Sequence, residues 1–161
     1  FPYTTLFRSL LSQPSYLIGY KGKTRKGRVR MKQLLDEQQA VTEALSHWCD
    51  HLSNKQLENL VQLYEPSAVL LPTLADNMIT NHQDRLAYFT LLMQNPNFKV
   101  EVEESNVRIV SDVAINSGFY TFSFDKDGNR VKIPSRFTFI YKKKPTGWMI
   151  IDHHSSQIPQ S

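Results

Sequence analysis

The sequence predicts an α+β domain in which a curved antiparallel sheet wraps over a long helix. Two observations carry this prediction. From Met31 onward, apolar residues recur every three to four positions, which is the period of an amphipathic helix. After Asn97, apolar and polar residues alternate, which is the period of half-buried strands. Because the helices come first and the long strands follow, the order favours α+β over alternating α/β.

Three helices are expected, over residues 31–53, 57–64 and 81–95. The third has either Thr80 or Asn81 as its N-cap, since both side chains accept a hydrogen bond from a first-turn amide. The first is by far the longest. Its apolar stripe consists of Leu34, Leu35, Val41, Leu45, Trp48, Cys49 and Leu52.

The strands form a meander closed by tight turns. A kink or bulge is expected at residues 104–106, where the alternation breaks, and Asp125–Asn129 has the composition of a hairpin turn. The strands are expected at residues 68–71, 98–110, 114–124, 133–143 and 148–156.

Positive charge is concentrated at the start of the chain. Residues 1–30 hold seven Lys and Arg and no acidic residue, so residues 31–161 carry a net charge of −3. A nucleic-acid-binding domain is basic where it is folded, which argues against nucleic acid as a partner. No apolar run approaches the length of a membrane span, so no membrane partner is expected either.

Residues 1–30 also lack a sustained helical or strand period, and residues 1–9 resemble an in-frame translation of a sequencing adaptor. We therefore expect 1–30 to be a basic leader outside the domain, either disordered or artefactual. The domain then spans residues 31–161, with Met31 as the start. The basic run follows the apolar residues, unlike in a secretory signal, and Cys49 is the single cysteine, so we expect a cytoplasmic protein.

Two patterns resemble metal sites. His47 and His51 have the spacing of zinc ligands on a helix, but Trp48 stands where the metalloprotease motif has glutamate. Residues 125–129 resemble the head of a calcium loop, but Arg136 stands where the EF-hand requires a bidentate glutamate. We expect no metal and no cofactor.

The last strand carries the most suggestive chemistry. An Asp-x-His pair can hold one imidazole tautomer, so Asp152 and His154 form a candidate general base, with Tyr120 polarising a carbonyl. The alternative is a hydrogen-bonded network that stabilises the pocket or a subunit interface. Because strand neighbours point to opposite faces, counting by twos from Trp148 places one set of residues on the pocket face. That set is Trp148, Ile150, Asp152, His154 and Ser156, and the opposite set is Met149, Ile151, His153 and Ser155.

Four blocks carry a family resemblance: YEPSAVLLPT at 64–73, VAINSGFYTF at 113–122, RFTFIY at 136–141 and WMIIDHHSSQIP at 148–159. In this order they resemble bacterial relatives of the calcium/calmodulin-dependent protein kinase II association domain, also called SnoaL-like or SgcJ/EcaC proteins. The resemblance implies the cone-shaped nuclear transport factor 2-like (cystatin-like) fold, in which a bent sheet and three helices enclose a pocket. It also implies self-association. The ligand-binding residues expected there are Tyr64, Tyr88, Asn116, Tyr120, Phe139 and His154.

Two functions remain open from the sequence. The first is a homo-oligomeric assembly or small-ligand-binding domain without kinase activity, since the chain has no glycine-rich phosphate loop, His-Arg-Asp or Asp-Phe-Gly motif. The second is a cofactor-independent isomerase, cyclase or dehydratase acting on a carbonyl or polycyclic substrate. Apolar residues predicted on the uncovered sheet face favour a homodimer. They are Ile115, Phe119, Ile140, Met149 and Ile151.

Overall fold

The computed structural model describes residues 24–73 and 75–159. The described part of the chain divides into two units, of which the first ends at Leu35 and the second begins at Asp36. The sequencing-adaptor resemblance and most of the predicted leader lie outside the described residues. The first helix begins at Arg25, so the helix start predicted at Met31 is too late by six residues. Arginine and lysine are good helix formers, but they added no apolar stripe by which this first part could be recognised.

The described residues form three helices, α1 (Arg25–Ser53), α2 (Leu57–Gln62) and α3 (His82–Met93). Of the two N-caps considered for α3, the structure selects Asn81, whose side chain accepts a 2.9 Å hydrogen bond from the amide of Asp84. Among these residues, no helix is both long enough and apolar enough to cross a membrane.

In the described part of the chain, five strands form one sheet in the order β1-β5-β4-β3-β2. Strands β2 to β5 pair antiparallel, as predicted, whereas β1 lies parallel to β5. The predicted α+β class is confirmed, with this parallel edge strand as an addition. The strands are β1 (Tyr64–Leu71), β2 (Lys99–Val110), β3 (Val113–Lys126), β4 (Asn129–Lys144) and β5 (Gly147–Gln157).

The boundary between α2 and β1 differs from the prediction. The helix ends at Gln62, and Tyr64 already belongs to β1 rather than to the helix. Pro66 lies inside this strand, where the register with β5 shifts between Tyr64 and Val69. Proline is tolerated there because β1 is at the edge of the sheet and its pairing is interrupted at this point.

The two predicted irregularities are present. Asp127 and Gly128 have φ values of 51° and 76° and form the tip of the β3–β4 hairpin, as expected for a turn in which both central residues have positive φ. The break in β2 lies between Val102 and Glu104, just before the predicted position.

The break in β2 brings its backbone against Gly118 of β3. A Cβ atom at Gly118 would lie 2.8 Å from the carbonyl carbon of Glu104 and 2.9 Å from Cζ of Phe137. We expect Gly118→Ala to lower the free energy of unfolding by more than about 2 kcal/mol, because backbone must move. The matched control is Ser117→Ala, which loses one 3.3 Å hydrogen bond to Thr138 and about 1 kcal/mol. Equal urea midpoints for the two variants would contradict this.

The hydrophobic core lies on one face of the sheet, called the inner face, under the three helices. Trp48 of α1 stacks on Tyr120 of β3 with 6.0 Å between ring centroids, and Phe89 of α3 meets Trp48 edge-on. Both aromatic residues from the helices are buried. Trp48 also meets Phe139 of β4 edge-on, with 5.3 Å between ring centroids.

Candidate functional site

A β-bulge in β5 decides which residues of that strand face the interior. Tyr141 of β4 pairs with Ile150, but the preceding residue, Ile140, pairs with Asp152. Ile151 is therefore the extra residue of a bulge. Ile150 is buried, and because one residue is inserted after it, the alternation of faces is reversed from that point on.

The consequence is a correction to the predicted site. His153 and Ser155 are 2% and 5% exposed and face the interior, whereas His154 is exposed. The prediction that His154 shares the concave face with Asn116 and Tyr120 is therefore wrong, and His153 takes that place. Asp152 shares the outer face with His154 and cannot orient the interior imidazole.

Hydrogen bonds join the interior side chains in a chain that begins at Trp48. Its indole Nε1–H donates to the hydroxyl of Tyr64 over 2.8 Å, and that hydroxyl lies 3.0 Å from Nδ1 of His153. An indole can only donate, so the Tyr64 oxygen accepts from Trp48 and uses its own proton toward His153. Nδ1 is then the acceptor nitrogen.

The chain continues from the other ring nitrogen to the surface. Nε2 of His153 lies 3.4 Å from the hydroxyl of Tyr120, which donates to Oγ of Ser155 over 2.5 Å. Ser155 in turn bonds the hydroxyl of Thr73, which is half-buried. Because the Tyr120 hydroxyl donates its proton to Ser155, it can only accept from His153. The imidazole proton of His153 is therefore on Nε2. We call Trp48, Tyr64, Thr73, Tyr120, His153 and Ser155 the interior cluster.

Aromatic rings enclose the imidazole of His153. Phe139 stacks on it with 3.7 Å between ring centroids, and Trp48 meets it edge-on at 5.3 Å. Burial lowers the pKa of His153 from 6.5 to about 3, and the neighbouring His154 contributes further. Burial also raises the pKa values of Tyr64 and Tyr120 well above 10. The interior cluster is therefore uncharged at neutral pH.

This lowered pKa predicts a pH dependence of stability. Because His153 binds a proton more weakly when folded than when unfolded, protonation favours the unfolded chain. Stability from this group is complete above pH 6.5 and falls by about 1.4 kcal/mol per pH unit as the pH drops from 6.5 toward 3. Urea unfolding at pH 7.5, 6, 5 and 4 measures this slope. The slope should be reduced in His153→Asn and kept in His154→Ala, and equal slopes in both variants would contradict the assignment.

A cavity of about 10 Å³ adjoins the interior cluster, which is room for about one water molecule. Of the predicted ligand-binding residues, Tyr88 and Tyr120 line it. Its full lining is Trp48, Leu70, Pro72, Tyr88, Phe89, Leu92, Tyr120, Phe122, His153 and Ser155.

The other predicted ligand-binding residues lie elsewhere. Tyr64, Asn116 and Phe139 are buried but do not line the cavity. The amide oxygen of Asn116 accepts from Ser105 over 2.8 Å. His154 lines a separate surface cleft of about 260 Å³, beside the outer end of β5. Sequence reasoning missed Trp48, Thr73, His153 and Ser155 as members of one cluster, although Trp48 was placed in the helical stripe.

The outer face of the sheet is the second candidate region. Ile115 of β3 and Ile140 of β4 are direct cross-strand partners on this face, and both are only half-buried. Ile151, predicted here, is the bulge residue and is half-buried. Across the neighbouring strands, this pair is flanked by Arg108 of β2 and Asp152 of β5, and other apolar residues lie further along the same face. We define the outer patch as Leu71, Val110, Ile115, Phe119, Ile140 and Met149, of which Val110 is 59%, Leu71 41% and Phe119 40% exposed.

Comparisons with known proteins agree with this fold. A protein from Xanthomonas campestris, assigned to the calcium/calmodulin dependent protein kinase II association domain, is 31% identical, with a TM-score of 0.69 over 75% of this chain and 87% of that one. The association domain of the Caenorhabditis elegans kinase is 21% identical, with a TM-score of 0.65 over 77% and 98%. A proposed dehydratase of the NTF2-like family from Streptomyces avermitilis is 16% identical, with a TM-score of 0.71 over 79% and 99%.

No curated protein sequence matches this chain. The family profile named calcium/calmodulin dependent protein kinase II association domain matches residues 37–159, which includes every strand and most of α1. The chain therefore belongs to the calcium/calmodulin dependent protein kinase II association domain family and has the NTF2-like fold of its structural neighbours.

Proposed function

We propose that this chain is a self-assembling association domain that buries the outer face of its sheet against a second copy. The observation that carries the proposal is the outer patch. Exposed apolar patches are typical of interaction sites, and this face of the sheet exposes several large apolar side chains.

The outer patch also has the layout that a two-fold contact requires. In an isologous dimer the same patch meets itself, so its centre must be apolar and its edges must tolerate an identical surface. The pair of Ile115 and Ile140 provides the apolar centre. On either side of it, Asp152 lies opposite Ile140 and Arg108 lies opposite Ile115, so a charge of each sign flanks the pair. Burial raises the pKa of Asp152, and His154 counteracts that rise.

Light scattering of the chain at micromolar concentration tests this proposal. We expect a mass of about twice that of the chain or more, since a two-fold contact closes at a dimer. A mass equal to that of one chain across the concentration range would overturn the proposal. Self-assembly of this kind does not require kinase activity.

A second function, binding of a small molecule in the interior, is favoured by one observation. The cavity adjoins a hydrogen-bonding imidazole and hydroxyl groups, which is the combination by which a site orients a carbonyl or hydroxyl compound. The dehydratase name of the Streptomyces avermitilis protein points to the same class of chemistry. A ligand larger than water would have to displace a side chain that lines the cavity. Tyr88 is half-buried, so its ring is the part of the lining that we expect to move.

Fluorescence of Trp48 tests for such a ligand. In a Trp148→Phe background, Trp48 is the sole tryptophan, and it lines the cavity. Titration with aromatic ketones up to millimolar concentration should quench or shift its emission if the interior accepts a carbonyl compound. Unchanged emission with every ketone would exclude binding of that class, and turnover of a bound ketone would identify the domain as an isomerase, cyclase or dehydratase.

A further inference from the structure

Arg85 of α3 is a buried cation that the interior cluster does not include. It is fully buried, and among the residues that the structure describes no carboxylate pairs with it. Arginine remains protonated in proteins, and a buried charge is expensive unless other groups compensate it. Since no acid does so, the compensation must come from neutral groups around the guanidinium.

The first of these groups are backbone carbonyls of β1. The guanidinium donates through Nη2 to the carbonyl of Ala68 over 2.5 Å and through Nη1 to that of Glu65 over 3.4 Å. Both carbonyls lie in the segment where β1 loses its register with β5, between Tyr64 and Val69. Arg85 thus supplies donors to a stretch of strand in which regular pairing is interrupted.

The second group is the ring of Tyr64, at the start of the same segment. The guanidinium carbon lies 4.9 Å from the centroid of this ring, within the range of a cation–π contact. The Tyr64 hydroxyl is the oxygen that joins Trp48 to His153. Arg85 therefore contacts both the backbone that carries Tyr64 and the ring that ends in that hydroxyl.

We propose that Arg85 is a positioning residue for the interior cluster, which holds Tyr64 where its hydroxyl serves Trp48 and His153 at once. This role goes beyond assembly through the outer face and does not depend on it. A cation beside the phenol also strengthens the hydroxyl as a donor, consistent with the lowering effect of Arg85 on the pKa of Tyr64. Donation from Tyr64 keeps Nδ1 of His153 free of a proton.

The indole proton of Trp48 reports on this role. Its hydrogen exchange is measured by NMR, with Trp148→Phe to assign the signal, and is expressed relative to the slowest backbone amides of the same variant. This ratio removes the effect of global stability, because those amides exchange through complete unfolding. The variants are Arg85→Met, Arg85→Lys and Tyr64→Phe, with Met93→Ala as a buried control on the same helix.

We expect Arg85→Met to speed the relative exchange about tenfold, close to the effect of Tyr64→Phe. Arg85→Lys should fall between, because lysine keeps the charge but cannot span two carbonyls. Met93→Ala should leave the ratio unchanged. If Arg85→Met fails to fold, the lysine variant decides by the same comparison. A ratio in the folded Arg85 variants equal to that of Met93→Ala would show a merely structural role and overturn the proposal.

Discussion

Replacing His153 by alanine should lower the free energy of unfolding by about 3–5 kcal/mol, the range found when a large buried side chain and its hydrogen bonds are both lost. The change removes the acceptor of the Tyr64 hydroxyl and the donor to Tyr120, so two buried polar groups lose a partner. It also opens a cavity against Phe139, which stacks on the imidazole. Urea unfolding followed by circular dichroism measures the loss.

His154→Ala is the matched control, one residue along the same strand. His154 is exposed, so its loss should change the free energy of unfolding by less than about 0.5 kcal/mol. Such a contrast between adjacent histidines would confirm that the bulge at Ile151 reverses the strand. A large loss for His154 and a small one for His153 would instead restore the alternation expected from Trp148.

The fold could be predicted because periodicity depends on burial alone. The helical stripe of α1 and the alternation of β3 and β4 both reflect one buried face, and the positive-φ turn at Asp127 and Gly128 has a composition that few other structures favour. The choice of the strand with which a given strand pairs produces no such pattern in the sequence. Nothing within Tyr64–Leu71 indicates that β1 pairs parallel to β5, since pairing depends on a strand distant in sequence.

The candidate site could be predicted only in part, for a specific physical reason. Residues 152–156 read Asp-His-His-Ser-Ser, so either face of β5 receives one histidine and one serine. The histidine and serine content of the inner face is therefore the same whichever way the strand is turned. A single inserted residue exchanges His154 for His153, and the run of Met149, Ile150 and Ile151 is equally apolar with or without the bulge. Only the pairing with Ile140 and Tyr141 locates the extra residue.

Arg85 shows the same limit at a different position. In sequence it is one charged residue of an amphipathic helix, where a charge usually marks the solvent side. The structure buries it because the break in β1 leaves carbonyls that need donors. The unpaired carbonyls lie in β1, whereas the donor comes from α3. The sequence of either segment alone therefore does not predict that Arg85 is buried.

Ile140→Lys should weaken self-association by at least about a hundredfold, because it places a charge at the apolar centre of the outer patch. The fold should persist, since Ile140 is half-buried on the outer face and a lysine there can extend into solvent. Phe119→Lys, at a more exposed position of the patch, provides a second variant should Ile140→Lys lose stability. Leu91→Lys is the control, because Leu91 is 65% exposed but lies on α3.

Sedimentation equilibrium of the unmodified chain, Ile140→Lys and Leu91→Lys at the same micromolar concentration tests the central claim most directly. The outer face as assembly surface predicts an oligomer for the unmodified chain and for Leu91→Lys, and a folded monomer for Ile140→Lys. The claim would be contradicted if the unmodified chain sedimented as a monomer. It would be contradicted equally if folded Ile140→Lys and Phe119→Lys retained the mass of the oligomer.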